Sequence, residues 1–425
     1  MYSYGQHVKT VMDMTPSTNG TMMSRSWRTL TISAPLKLWL LTATEILRLT
    51  SEDEVSVEDY AKALSSRVEL RDSVVKAWQY LDRELVLTLA SDMPTEYGSL
   101  LYKGNMPNAD ASSVDILRRA GALIFGKTTT TEFAIVNSGP DNTNPHDSKR
   151  TPGGSSAGSA AAVTDFQVPL SCGTQTGGSV IRPALYMDTY VLALELDTFG
   201  YFARSVEDLK LITDVFKITT DESIKNIPLR EAKVGYLKTP IWLSADPGTI
   251  AVMEKAAKIL LSYGVTVEEK MIDVIMKVEA HASFLNEYLM DTTKTKLNLK
   301  IHGLVEKASD ISHDDNRRAY DSCVTLRPLL DQIAAKYSVL IMSSAVDEAP
   351  LGLEDMGAAD SNFVWTAAHM PVIQIPAFAG PNGMPVGLSL VARRYCDQDF
   401  LNIAQILGGP LMSKRGWQSA SRHAG

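Results

Sequence analysis

The chain is expected to fold as an α/β protein, because stretches with helical spacing alternate with short apolar runs of β type, and Gly- or Pro-marked turns separate them. Its 425 residues, 45% hydrophobic and 21% charged, suffice for a large core, arranged as one big domain or two smaller ones. A formal net charge of −8 and a pI near 5.5 argue against a nucleic-acid groove built on bulk charge. Cys172, Cys323 and Cys396 are scattered and odd in number, which offers no disulfide framework and suits a reduced compartment, the cytosol by default. The apolar run around 36–41 is too short to span a bilayer, and no signal peptide or membrane attachment is expected.

Residues 1–27 are rich in Ser, Thr, Met and Gly without an apolar period and read as a flexible extension. Ser56-Val-Glu-Asp59 resembles a capping box, and Val57, Tyr60, Ala61, Leu64 and Val68 then share one helical face. Val114, Leu117 and Ala120 continue helical spacing to Gly121, after which 122–125 reads as a short buried strand ending at Gly126. Residues 234–237 read as a strand, and Asp246-Pro247 caps a helix carrying Ile250, Met253, Ala257 and Leu261 that stops near Gly264. Residues 271–318 are mixed, charged helical segments of a peripheral lobe. Residues 371–376 and 385–392 read as two strands joined by Gly380-Pro-Asn-Gly383, and Asp397 caps a last helix with Phe400, Ile403, Ala404 and Leu407 inward. The domain is placed at 28–412 and a tail at 413–425.

The chemistry concentrates in two Gly-rich turns. Thr151-Pro-Gly-Gly-Ser-Ser-Ala157 and Gly173-Thr-Gln-Thr-Gly-Gly-Ser-Val180 place Ser155 and Ser179 24 positions apart. Ser179 follows Gly177 and Gly178, so a substrate carbonyl can approach backbone N–H groups that no side chain screens, which suits an oxyanion hole. Ser155 sits in an equally constrained turn from which it can relay a proton. Gly/Ser-rich stretches are more often linkers or phosphate loops, but here apolar residues follow each turn, and neither a Walker loop nor a G-x-G-x-x-G pattern is present. Neither a cofactor nor a metal is expected.

These turns and their spacing resemble the amidase signature family. Asp92-Met-Pro-Thr-Glu-Tyr-Gly98, Gly126-Lys-Thr-Thr-Thr-Thr-Glu-Phe133, Phe202-Ala-Arg-Ser205 and Gly383-Met-Pro-Val-Gly-Leu388 look like its landmarks in order, so the resemblance runs from about 36 to 408. It implies a single domain with a mixed central sheet between helices, and hydrolysis of carboxylic amides by a Ser-Ser-Lys triad whose middle serine follows a cis peptide bond. Carried onto this chain, Ser179 is the nucleophile, Ser155 the relay, and the N–H groups of Thr176, Gly177, Gly178 and Ser179 the oxyanion donors.

The triad's lysine has no match. In relatives it lies in an apolar Val-Lys-Asp-like strand just before the segment matching 92–98, where this chain has Leu85-Val-Leu-Thr-Leu-Ala-Ser91. Lys76, Lys103 and Lys127 read better as solvated or strand-capping lysines, with Lys127 the nearest stand-in. His146 reads as an exposed loop histidine. A second core strand, after Ala184, also looks absent, since the chain runs through 185–195 straight to Leu196-Asp-Thr-Phe-Gly200. Three functions compete: an amidase acting on a small-molecule amide, weakened by the missing base; a non-catalytic relative that binds a ligand or partner; and an amidotransferase A-like subunit that needs partner subunits. Nucleic acid is not expected as a partner, and a homodimer is left open.

Overall fold

In the computed structural model an eight-stranded mixed sheet lies between two layers of helices, and its strands sort their side chains by alternation, broken by a register shift between β9 and β10. The structure describes residues 37–81, 93–135, 142–193, 198–219, 226–271, 291, 295–298, 301–303, 306, 312–358, 360–414 and 416–417. The expected extension at 1–27, the segment 85–91 where the lysine strand has no match, and most of the 271–318 lobe lie outside these residues. Helices are α1 (Ala43–Ser51), α2 (Val57–Val75), α3 (Ser112–Arg119), α4 (Ala157–Thr164), α5 (Ile181–Tyr186), α6 (Val206–Val215), α7 (Pro247–Ser262), α8 (His313–Ala334), α9 (Asp360–Ala368) and α10 (Asp397–Ser413). Strands are β1 (Trp78–Leu81), β2 (Gly126–Thr128), β3 (Leu170–Gln175), β4 (Tyr190–Ala193), β5 (Thr198–Ala203), β6 (Lys233–Lys238), β7 (Thr266–Met271), β8 (Val339–Ser343), β9 (Val372–Ala379) and β10 (Pro385–Val391).

The large sheet runs β3-β5-β4-β9-β10-β8-β6-β7, and β1 and β2 form a separate antiparallel ribbon. Only β6 pairs in parallel, with β7 and β8; every other neighbouring pair is antiparallel. Leu192, Tyr201, Ile341 and Ile373 face α6, α7 and α10, while their neighbours Val191, Phe202, Leu340 and Val372 face α2, α4, α5, α8 and α9. A period of two on each strand thus builds two cores back to back.

Several expectations match in place. Ser56 accepts the Asp59 N–H at the start of α2, Asp246 accepts the Gly248 N–H at the start of α7, and the strand–loop–strand at the C-terminal end is the β9–β10 hairpin. Others need correction. The apolar run 122–125 does not pair; the strand is Gly126–Thr128, where Gly126 packs so closely on β1 that a Cβ would meet Tyr80 O at 2.5 Å and the Trp78 ring at 3.0 Å. The strand expected to be absent after Ala184 exists as β4, wholly buried and paired on both sides by β5 and β9. Asp397 is the first residue of α10, not its cap; Cys396 holds that position. Trp417, in the expected tail, is buried and donates Nε1–H to Gly383 O at 3.0 Å.

The free edge of β3 is covered by the side chains of the turn into α4. Ser159 Oγ donates to Cys172 O at 2.6 Å, and Ser156 Oγ accepts the Thr174 N–H at 3.2 Å. Such cover blunts an edge that would otherwise offer unpaired backbone to another chain.

Candidate active site

Both serine turns lie on the α4/α5 side of the sheet, and backbone bonds lock them together. Gly153 adopts φ +76°, and the Gly154–Ser155 peptide is cis. Ser156 N–H donates to Ser179 O at 3.1 Å, which joins the turns across the 24-residue interval. Arg182, 2% exposed on α5, reaches back with Nε and Nη2 to Gly154 O at 3.2 and 2.7 Å, and with Nη1 to Gly357 O. A buried guanidinium is tolerable only when its donors are met, and these carbonyls accept from it.

Ser155 is 1% exposed and its Oγ has no hydrogen-bond partner among the described residues. No direct Ser155–Ser179 hydroxyl bond is made; the turns are held together at the peptide level by the Ser156–Ser179 contact. Ser179 is half-buried. Ahead of it, the backbone N–H groups of Gly177, Gly178 and Ser179 donate to nothing among the described residues, whereas those of Val180 and Ile181 both donate to Gln175 Oε1, at 3.0 and 2.9 Å. Thr176, which opens the loop, is exposed. A Cβ on Gly177 would come within 2.6 Å of the Phe363 ring, so only glycine keeps the loop where it is.

No lysine amine reaches Ser155 Oγ among the described residues. Lys127, on β2, donates to Met93 O at 3.0 Å and to Thr95 Oγ1, and its half-burial lowers its pKa. Lys76 is exposed at the C-cap of α2, and Lys103 is exposed in its turn. His146 is not the exposed loop residue expected. Its Nε2 lies 3.0 Å from Met187 O, its ring stands edge-on to Trp417 at 4.7 Å, and burial pushes its pKa down to about 4. Among the described residues no group of three His, Cys, Asp or Glu side chains could hold a metal ion, and no helix is long and apolar enough to cross a membrane.

Sequence reasoning missed Gln175 and Arg182 as organisers of the site. The available signal was a polar side chain inside an otherwise apolar or glycine run, which burial obliges to find partners.

The Amidase family model matches residues 88–190, the segment that contains both serine turns. The chain is 31% identical over 292 residues to the glutamyl-tRNA(Gln) amidotransferase A subunit of Acidothermus cellulolyticus, covering 54% of this chain and 58% of that one. It is 29% identical over 296 residues to the corresponding subunit of Carboxydothermus hydrogenoformans, covering 55% and 61%. The chain thus spans about three fifths of the length of these curated relatives. Its fold resembles 6-aminohexanoate cyclic dimer hydrolase complexed with substrate, with a TM-score of 0.75 at 20% identity over 89% of this chain and 98% of that one. The segment that carries both serine turns thus matches the Amidase family, and the fold along almost the whole chain is similar to that of a solved hydrolase.

Proposed function

We propose that the chain is an amidase that cleaves the C–N bond of a small-molecule carboxylic amide through Ser179, working slowly because no base is positioned beside Ser155 among the described residues. The observation that carries this is the loop itself: three consecutive N–H groups, of Gly177, Gly178 and Ser179, that have no acceptor among the described residues, beside a half-buried serine that backbone bonds hold against the Ser155 turn.

Ser179 Oγ attacks the amide carbonyl carbon, and the carbonyl π electrons move to oxygen, where the three N–H groups stabilise the charge. The Ser179 proton passes to Ser155, which gives its own proton to the leaving nitrogen as the C–N bond breaks. Water then attacks the acyl-serine and returns the proton to Ser179, releasing carboxylic acid and ammonia or an amine. The relay lacks a group that draws the proton forward, since Ser155 Oγ has no partner among the described residues.

Two further readings have support. That no amine stands beside Ser155 among the described residues favours a non-catalytic relative that binds a ligand or partner through the same turns. The names of the curated relatives favour an amidotransferase A-like subunit, which would require partner subunits. Labelling the full chain with a fluorophosphonate, followed by peptide mapping, separates catalysis from binding alone. The label is expected on Ser179 and is expected to vanish in Ser179→Ala; label that persists in that variant, or a folded wild type that takes none, sinks the nucleophile assignment.

A further inference from the structure

We infer that Gln175 is a positioning residue for acyl transfer: by taking up the Val180 and Ile181 N–H groups it keeps those of Gly177, Gly178 and Ser179 free for a substrate oxygen. This rests on the reading of Ser179 as nucleophile.

From 177 to 181 five successive N–H groups approach the start of α5, where helix geometry provides no acceptor for the first turn. Unmet, they would compete for whatever acceptor lies nearest, and the glycines would let the loop rotate to find one. Gln175 settles the competition. It is 2% exposed at the end of β3, and its Oε1 accepts from Val180 at 3.0 Å and Ile181 at 2.9 Å. Its Nε2 is held by Thr366 Oγ1 of α9 at 3.4 Å, and the same hydroxyl lies 3.4 Å from Gly177 O and 3.2 Å from Asn362 O. Arg182 N–H closes the turn onto Gly178 O at 2.9 Å. The division falls between Ser179 and Val180: N–H groups after the nucleophile are consumed, and those up to it are left open. Gln175 is also neutral. A carboxylate would accept the same two N–H groups but would set a negative charge beside the place where an oxyanion forms.

The test compares the full wild-type chain with Q175M, which keeps length and loses the acceptor. Two readouts are taken: hydrogen exchange at Val180 and Ile181 by fragmentation mass spectrometry, and the saturation kinetics of fluorophosphonate labelling at Ser179. Q175M is expected to speed exchange at those two amides while β4 and β9 stay protected. The maximal labelling rate is expected to drop about 10²-fold, the scale of a misplacement of about 1 Å, with little change in the half-saturating probe concentration. Unchanged exchange at 180 and 181, or unchanged labelling once those amides are released, overturns the inference. If wild type takes no label, the nucleophile reading fails, and exchange alone then decides whether Gln175 organises the loop. Should Q175M not fold, Q175E carries the test. It retains the acceptors, so 180 and 181 stay protected, while its charge slows labelling at neutral pH about 10-fold and less as the carboxyl protonates. Loss of protection at 180 and 181 in Q175E with labelling at the wild-type rate would again overturn the role.

Discussion

The two serine turns and the β1–β2 ribbon meet at the same helix, α4, yet they are held in opposite ways. The turns are largely buried and joined by backbone and by buried side chains: Ser156 N–H to Ser179 O, the Arg182 guanidinium to Gly154 O, and Gln175 Oε1 to the start of α5. The ribbon is short and half-buried, and its one inward amine, Lys127, is spent on Met93 O and Thr95. The difference separates two kinds of catalytic work. Stabilising an oxyanion needs N–H groups, which any sequence that folds the turn provides. Accepting a proton needs one particular side chain at one register, and a strand can form without it.

The largest effect should come from supplying that side chain. Replacing residues 85–91 with a strand bearing a family-like Val-Lys-Asp context is expected to raise amide hydrolysis by about 10²–10⁴-fold, the usual contribution of a positioned general base. Ammonia or amine release from a panel of small amides measures it. Equal rates in the two chains would show that a base already operates, and the contrast between turn and ribbon would lose its functional meaning.

The junction between the regions is the next place to strain. Gly158 on α4 donates its N–H to Thr129 O at 3.0 Å, and Thr129 N–H in turn donates to Ala77 O at 2.8 Å. A Cβ at Gly158 would press on Ala77 O and on the Thr129 backbone. Alanine in a helix ordinarily gains about 0.5–1 kcal/mol over glycine, but overpacking against backbone that cannot step aside costs about 1–3 kcal/mol. Gly158→Ala should therefore lower stability in denaturant melts. A neutral or stabilising result would show that the ribbon yields freely to α4.

These contrasts also explain what can be read from the sequence. Helix α2 is legible because Ser56 marks its start and Tyr60, Leu64 and Val68 repeat at helical spacing; β9 and β10 are legible because turn residues bracket them. The strand β4 is not. Tyr190–Ala193 is buried on both faces, so it shows no alternation, and it follows a six-residue helix with no Gly or Pro between. The Ser155 and Ser179 turns are visible as glycine patterns, but the roles of Gln175 and Arg182 depend on which carbonyl or N–H lies within reach, and that is fixed by the packing of α5 against the turns. His146 looks exposed in the sequence because the residue that covers it, Trp417, lies far along the chain.

That covering gives a smaller, pH-dependent effect on the serine-turn side. His146 is held neutral in the fold, at about 4 against an ordinary 6.5, mainly by burial. A depressed pKa means that the unfolded chain binds the proton first, so the stability is intact above about pH 6.5 and lost as pH falls toward 4. About 2 kcal/mol should disappear over that window after allowance for partial exposure. His146→Gln, which keeps an N–H for Met187 O, should flatten the slope in melts at pH 4.5 and pH 7; an unchanged slope would assign the acid sensitivity elsewhere.

The smallest expected effect tests the ribbon's remaining amine. Lys127→Met removes the bonds to Met93 O and Thr95, exposed enough to water that each is worth about 0.5–1.5 kcal/mol, so stability should fall slightly. Fluorophosphonate labelling of Ser179 should stay within about twofold of wild type, because an amine occupied by Met93 O is not placed to take a proton from Ser155, and general-base loss would cost at least about 10²-fold. A drop of that size would place Lys127 in the proton path. The ribbon would then be supplying the base for which the sequence of 85–91 offers no match, by a movement that frees its amine from Met93, and the division between the regions would be one of conformation and not of composition.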